Sequence, residues 1–271
     1  MISKTVNINT IGELKYITFP KLESCGAVRH IFSTRLGGVS EGDFYSMNLS
    51  FHRDKRECVE ENYRRLCGAV GIDTSHLVLS HQTHTNNVRN VTRADIGIGY
   101  SRPEFNDVDG LITNESGVAM VTQYADCTPL LFCDPVNHVA ATSHAGWRGT
   151  AKGIGAVTVE KMVKEYGCNP KNIIVAIGPC IRNCCYEVDT PVYEEFKKMG
   201  IDLTDVFKRK DDNHFLLDMQ LANKRLLIEN GIKEENIDVA DICTCCNSDE
   251  MHSHRATKGR RGNLAAIIEL I

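Results

Sequence analysis

The chain has 271 residues, 42% hydrophobic and 24% charged, with a formal net charge of -4; this is an ordinary globular balance, with length enough for a substantial core. A mildly acidic chain without a basic block is a poor general binder of DNA or RNA, and no run reaches the roughly 20 apolar residues of a membrane helix. Residues 1–16 lack the basic-then-apolar pattern of a secretory signal, so a cytoplasmic setting without nucleic-acid or membrane partners is expected, in which the 12 cysteines are reduced and serve as ligands, catalytic thiols or core.

In chain order, Val28–Ser33 reads as a strand, 57–70 as a helix and 76–80 as a strand. Gly110–Thr113, 118–123, 130–133 and 139–143 are further short apolar strands between polar or glycine-containing turns. Residues 155–166 place Val159, Met162, Val163 and Tyr166 on one helical face, followed by a strand at 173–177. A helix over 190–199 opens on Thr-Pro, a cap followed by proline in the first turn. Another over 218–230 has Asp218 as its cap and Gly231 as its stop, and 264–268 is a final strand. No linker, charge block or repeat divides the sequence, which predicts one domain over residues 1–271. Strands come in groups and outnumber helices, which favours a mixed sheet with outer helices. Cys58, Cys67 and Cys133 read as core.

Three segments combine ligand-type residues with tight turns: Ser80-His-Gln-Thr-His84, Ala125-Asp-Cys-Thr-Pro129 and Ser143-His-Ala-Gly-Trp-Arg-Gly149. Each follows a strand-like run, and strand ends hold polar groups rigidly at a surface. Two imidazoles and a thiolate suit zinc, and three protein ligands leave a fourth position at which the pKa of water falls to about 7. Periodicity does not choose between His81 and His84.

Thr34-Arg-Leu-Gly-Gly-Val-Ser40, Gln82-Thr-His84, Asp107-Val-Asp-Gly110, Ala125-Asp-Cys-Thr-Pro129, His144-Ala-Gly-Trp-Arg-Gly149 and Ile177-Gly-Pro-Cys180 resemble the signatures of the laccase-domain family. Its members were formerly labelled multicopper polyphenol oxidases and are linked to purine nucleoside phosphorylase and adenosine deaminase activities. The resemblance runs from about residue 20 to the C-terminus. It implies a metal held by His84, Cys127 and His144, with zinc favoured over copper, and it selects His84 over His81. It also implies an α+β fold, a four-layer α-β-β-α sandwich with mixed β-sheets, similar to the catalytic domain of the bacterial cytotoxic necrotizing factor. The implied activity is phosphorolysis or deamination of adenosine, inosine and methylthioadenosine. Near the C-terminus the family's Ser-Tyr-Arg reads Ser253-His-Arg255, and its Gly-Arg element matches Gly259-Arg260, with Arg261 next.

Phosphorolysis needs cations or backbone amides around phosphate. Arg148, four residues past His144, is one candidate; Arg35, beside a loop containing Gly37 and Gly38, is another. Either arginine has a structural alternative as an ion-pair partner. Arg255 is a candidate at the C-terminal edge of the pocket. Deamination needs an acid–base group; Asp126 is the carboxylate nearest Cys127, although it also reads as buried structure. Cys127 has a competing metal-free reading as a nucleophile activated by His144.

Two further thiol groups occur, Cys180, Cys184, Cys185 and Cys243, Cys245, Cys246. Cys180 and Cys184 have the separation of zinc pairs and Cys243-X-Cys245 does not, so these six read as core or loop thiols rather than a second zinc site. Competing functions are a copper-dependent polyphenol oxidoreductase, a metal or cysteine hydrolase of another small metabolite such as a cell-wall precursor, and a non-catalytic nucleoside sensor. Ten histidines, with His252-Ser-His254 the lone His-X-His pair, make a four-copper centre a poor fit.

Overall fold

The computed structural model describes residues 1–271. One six-stranded sheet runs in the order β1 (Asn7–Ile11), β2 (Leu14–Thr18), β3 (Val28–Ser33), β17 (Leu264–Leu270), β9 (Ala119–Tyr124), β4 (Leu77–Val78). A second runs β16 (Ile237–Val239), β12 (Ile174–Ile177), β10 (Thr128–Asp134), β11 (Val139–Ala145), β8 (Gly110–Thr113), β6 (Val88–Asn90). Both are mixed: β4 is parallel to β9, β16 to β12 and β6 to β8, and the other pairs are antiparallel. A small sheet of β13 (Glu187–Asp189), β15 (His214–Leu217) and β14 (Phe207–Arg209), and the pair β5 (Ser80–His81) and β7 (Phe105–Asn106), complete the strands. The helices are α1 (Pro20–Ser24), α2 (Arg56–Gly68), α3 (Trp147–Ala151), α4 (Ile154–Tyr166), α5 (Thr190–Lys197), α6 (Met219–Glu229) and α7 (His254–Thr257). No helix is long and apolar enough to cross a membrane.

Successive side chains on a strand point to opposite faces, and the buried clusters follow that rule. Phe32, Met120 and Ile268 of the first large sheet share one cluster with Leu111, Leu131 and Ala176 of the second, so the two sheets pack face to face. The next residues along the same strands, Ile31, Val121 and Ile267, pack instead with Val59, Tyr63 and Leu66 of α2. On the far side, Leu130, Phe132, Ala141 and Val175 pack with Ile154, Val159 and Met162 of α4 and Leu227 of α6. Strands covered on both faces read as continuous apolar runs, which is why β10 and β11 show no alternation and are buried throughout.

Three local expectations change. The run 76–80 is not one strand: His76 ends a 3₁₀ turn, Leu77–Val78 joins the first sheet and Ser80 opens β5, with the Leu79 N–H donating to Ile98 O between them. The β1–β2 hairpin was not expected; its Asn- and Thr-rich first strand carries little apolar signal and is held by its register with β2, across a turn where Gly12 has φ 59°. At α5 the cap is Asp189, whose carboxylate accepts the Val192 N–H, and not Thr190. Asp218 caps α6 as the sequence predicts.

Candidate functional site

The register of the β10–β11 hairpin builds the centre. Thr128 pairs with Ala145 and Pro129 with His144, so Cys127 enters β10 at the same end where His144 leaves β11. Cys127 follows a bend in which Asp126 has φ 89°, outside the usual range of a residue with a side chain. His84, in the loop after β5, also has a left-handed backbone (φ 65°). One ligand atom from each of His84, Cys127 and His144 lies within 4.8 Å of the others; Cys127 Sγ is 3.8 Å from His84 Nε2, and the two imidazole centroids are 4.9 Å apart. Gly146 permits this approach, since a Cβ there would stand 2.6 Å from His84 Cδ2 and 3.2 Å from Cys127 Sγ. His81, on β5 and exposed, lies outside this group.

Asp109, fully buried, organises the three residues. Its Oδ1 accepts the His84 backbone N–H at 3.0 Å and lies 2.8 Å from His144 Nδ1. Its Oδ2 accepts the N–H groups of Thr83 and Thr85 and the Thr85 hydroxyl. Burial opposes its charge, but the contacts with His144 and Thr85 hold its carboxyl down at about 2. A proton on His144 Nδ1 is thereby fixed toward Asp109, so that Nε2 is the nitrogen that would lose its proton to bind a metal. Burial also raises the Cys127 thiol, yet His144 and His84 bring it down to about 6. Burial works against protonation of His144, but the Cys127 thiolate and Asp109 lift it to about 9. Cys127 is therefore a thiolate at neutral pH, the form in which cysteine binds metal. The N, N, S donor set fits a borderline-soft ion with imidazole and thiolate preference.

The centre opens on a cavity of about 1020 Å³, at the upper limit of small-molecule sites. Arg148, on α3, reaches its wall, exposed, with its guanidinium 4.2 Å from the Trp147 ring centroid and no carboxylate partner. Arg255 also lines it, but donates to the carbonyls of Cys185 and Glu187.

Two expectations need correction. Arg35 is absent from the cavity wall: its guanidinium is spent on the carbonyls of Tyr45 and Ser248. Gly37 and Gly38 are likewise not at the cavity; a Cβ at either would fall within 2.3 Å of backbone atoms of Leu14 or Ser46, so these glycines serve a close chain crossing and not an anion. Asp126 lines the cavity, but both oxygens are committed, Oδ1 to the Thr244 hydroxyl and Oδ2 to the Arg255 N–H. It anchors the C-terminal rim, each oxygen already holding one donor.

Sequence reasoning passed over Asp109, Arg261 and Tyr186. Asp109 lies inside the segment Asp107-Val-Asp-Gly110, where nothing local marks it as the partner of His144. Arg261, not Arg260, lines the cavity, and its Nε is buried without a hydrogen-bond partner.

The sequence profile of the family described as "Multi-copper polyphenol oxidoreductase laccase" matches residues 29–271. The chain belongs to this family. Among curated relatives, it is 33% identical over 240 residues to purine nucleoside phosphorylase YlmD of Bacillus subtilis, covering 88% of this chain and 86% of that protein. It is 34% identical over 233 residues to human purine nucleoside phosphorylase LACC1, covering 83% of this chain but 51% of that longer protein. The crystal structure of YlmD from Geobacillus stearothermophilus superposes with a TM-score of 0.91 at 31% identity, covering 97% of this chain and 98% of the other. That of the Bacillus licheniformis hypothetical protein YfiH gives 0.92 at 30%, covering 97% and 99%. The laccase-family match begins within β3, so the β1–β2 hairpin precedes it and every residue of the centre falls inside it. The family's description and the His–Cys–His group agree on a metal centre.

Proposed function

We propose that this chain is a zinc-dependent purine nucleoside phosphorylase that also deaminates adenosine, with adenosine, inosine and methylthioadenosine as substrates, acting as one cytoplasmic domain. The observation that carries the reading is the convergence of His84, Cys127 and His144 at a cavity whose wall presents Arg148 without an anionic partner. The names of the curated relatives support the phosphorylase activity. We also read the packing of α2, the two large sheets and α4 with α6 as a four-layer α-β-β-α sandwich like that of the cytotoxic necrotizing factor catalytic domain.

Zinc on these three donors would supply a Lewis acid and acidify water to a pKa of about 7. The chain's own groups supply the rest. Arg148 and Arg261 offer guanidinium donors to a phosphate dianion, a match of planar fork to tetrahedral oxygens. A phosphate oxygen bonds to ribose C1′ as the C1′–N9 bond breaks, the electron pair leaves on the purine, and the base takes up a proton. Tyr186, whose phenol burial keeps protonated, is a hydrogen-bond donor on the same wall. In deamination the leaving ammonia needs a proton; the acidic residues of the wall are Asp126 and Glu104, and with Asp126 committed, Glu104 is the free carboxylate.

One observation favours a second reading. The Cys127 thiolate, His144 and Asp109 form the row of a cysteine hydrolase. Metal-quantified protein incubated with adenosine and phosphate decides between them. Adenine with ribose 1-phosphate, and inosine or hypoxanthine, are expected in proportion to bound zinc. No product from any nucleoside, with phenol oxidation that requires copper or hydrolysis that persists after chelation, would overturn the proposal.

A further inference from the structure

Four thiols that lie outside the nucleoside cavity converge on a second point. Cys184 and Cys185 come from the loop after β12, and Cys243 and Cys246 from the turn after β16; their four sulfurs lie within 4.8 Å of one another. Cys246 Sγ is 3.5 Å from Cys184 Sγ and 3.3 Å from Cys185 Sγ. Sulfurs at about 2.3 Å from a tetrahedral zinc stand roughly 3.8 Å apart, so small side-chain shifts let the four sulfurs share a single ion. Cys180 and Cys245 stay outside the group: Cys180 is fully buried, with its thiol directed to Ile181 O.

We propose that Cys184, Cys185, Cys243 and Cys246 hold a structural zinc ion, distinct from the His84–Cys127–His144 centre. Three further observations fit. Cys243-Thr-Cys-Cys246 has the two-residue separation of a zinc pair, a spacing hidden by the intervening Cys245. The Cys243 sulfur accepts the backbone N–H of Arg182 at 3.5 Å, and the Cys246 N–H is also directed to it; such N–H donors support sulfur that carries negative charge. Arg182 also carries a guanidinium that donates to Asp241 O and has a buried Nε with no partner, a cation on the same loop as a site that four thiolates and Zn²⁺ would leave with two negative charges. Loading is balanced by release of the four S–H protons.

The position gives the ion a task. The two segments are joined by a parallel backbone β-bridge between Cys180 and Cys243, whose thiols are free, and by the Thr244 N–H to Cys180 O. They also hold the rim of the nucleoside cavity: Thr244 binds Asp126, Cys185 O accepts from Arg255, and Ile181 and Tyr186 line the wall. An ion clamping both segments sets that rim without touching substrate.

The test is metal stoichiometry on untagged protein grown with zinc. Two zinc ions per chain are expected. A Cys184→Ser/Cys246→Ser double variant, both positions exposed, loses one and keeps the other; Cys127→Ala loses the complementary one, so failure of either site is seen separately. Cobalt(II) added to zinc-free wild type gives the intense charge-transfer bands of a tetrathiolate, and these collapse in the double variant but not in Cys127→Ala. Unchanged zinc content and cobalt spectrum in the double variant overturn the proposal, as does a Cys185–Cys246 or Cys184–Cys246 disulfide found by mass in protein purified under reducing conditions.

Discussion

Asp109 Oδ1 lies 2.8 Å from His144 Nδ1 and accepts the backbone N–H of His84, so one carboxylate oxygen orients two residues of the centre at once. Asp109→Asn replaces an acceptor by an amide that cannot satisfy all of these donors. Groups that orient a metal-binding imidazole are worth roughly 10- to 100-fold in metal affinity. Competition with a chromophoric zinc chelator measures it, and unchanged affinity would remove Asp109 from this role.

Gly146→Ala tests the approach of the ligands. Its Cβ collides with His84 Cδ2 and crowds Cys127 Sγ, so one ligand must move and the bound metal at the His–Cys–His centre should drop to a small fraction. The hairpin is otherwise intact, and circular dichroism should stay native. Full zinc occupancy in the variant would show that the loop yields freely.

Arg148 and Arg35 should separate cleanly. Losing a charge-assisted contact costs about 2 kcal/mol, roughly thirtyfold, so Arg148→Ala is expected to raise KM for phosphate by that factor while adenosine deamination changes little. Arg35→Ala removes a guanidinium bound to two carbonyls; Tm should fall, with KM for phosphate unchanged. Equal loss of both activities on removing Arg148 counts against its phosphate role.

His30 makes the fold acid-sensitive. Burial brings its pKa down to about 4, and its Nε2 accepts the Phe19 N–H at 2.8 Å, a role for the neutral ring. The unfolded ring titrates near 6.5, so between pH 6.5 and 4 the unfolded state binds the extra proton. Stability from this site is complete above about 6.5 and is lost as pH falls through that window, by up to about 3 kcal/mol. His30→Gln keeps an acceptor and removes the titration. Denaturation curves at pH 7 and pH 4.5 should differ less for the variant than for the wild type; an equal acid loss would place the effect elsewhere.

Much of the fold is written locally. The strands Val28–Ser33 and Gly110–Thr113, the cap at Asp218 and the runs of β10 and β11 follow from short apolar runs and turn chemistry, which act over a few residues. The motifs around His84, Cys127 and His144 are equally local, and their family resemblance was visible before any fold. Pairing is not local. That Pro129 lies opposite His144, that Asp109 rather than Asp126 serves the imidazole, and that Arg261 rather than Arg35 faces the cavity depend on which distant strands share a register. The same holds for Cys184, Cys185, Cys243 and Cys246, brought together where the backbones of two loops pair at Cys180 and Cys243. Residue types and spacing determined what chemistry the chain carries. Only tertiary structure decided which groups stay free for it, because a side chain's hydrogen-bond capacity is consumed by whatever backbone the fold places beside it.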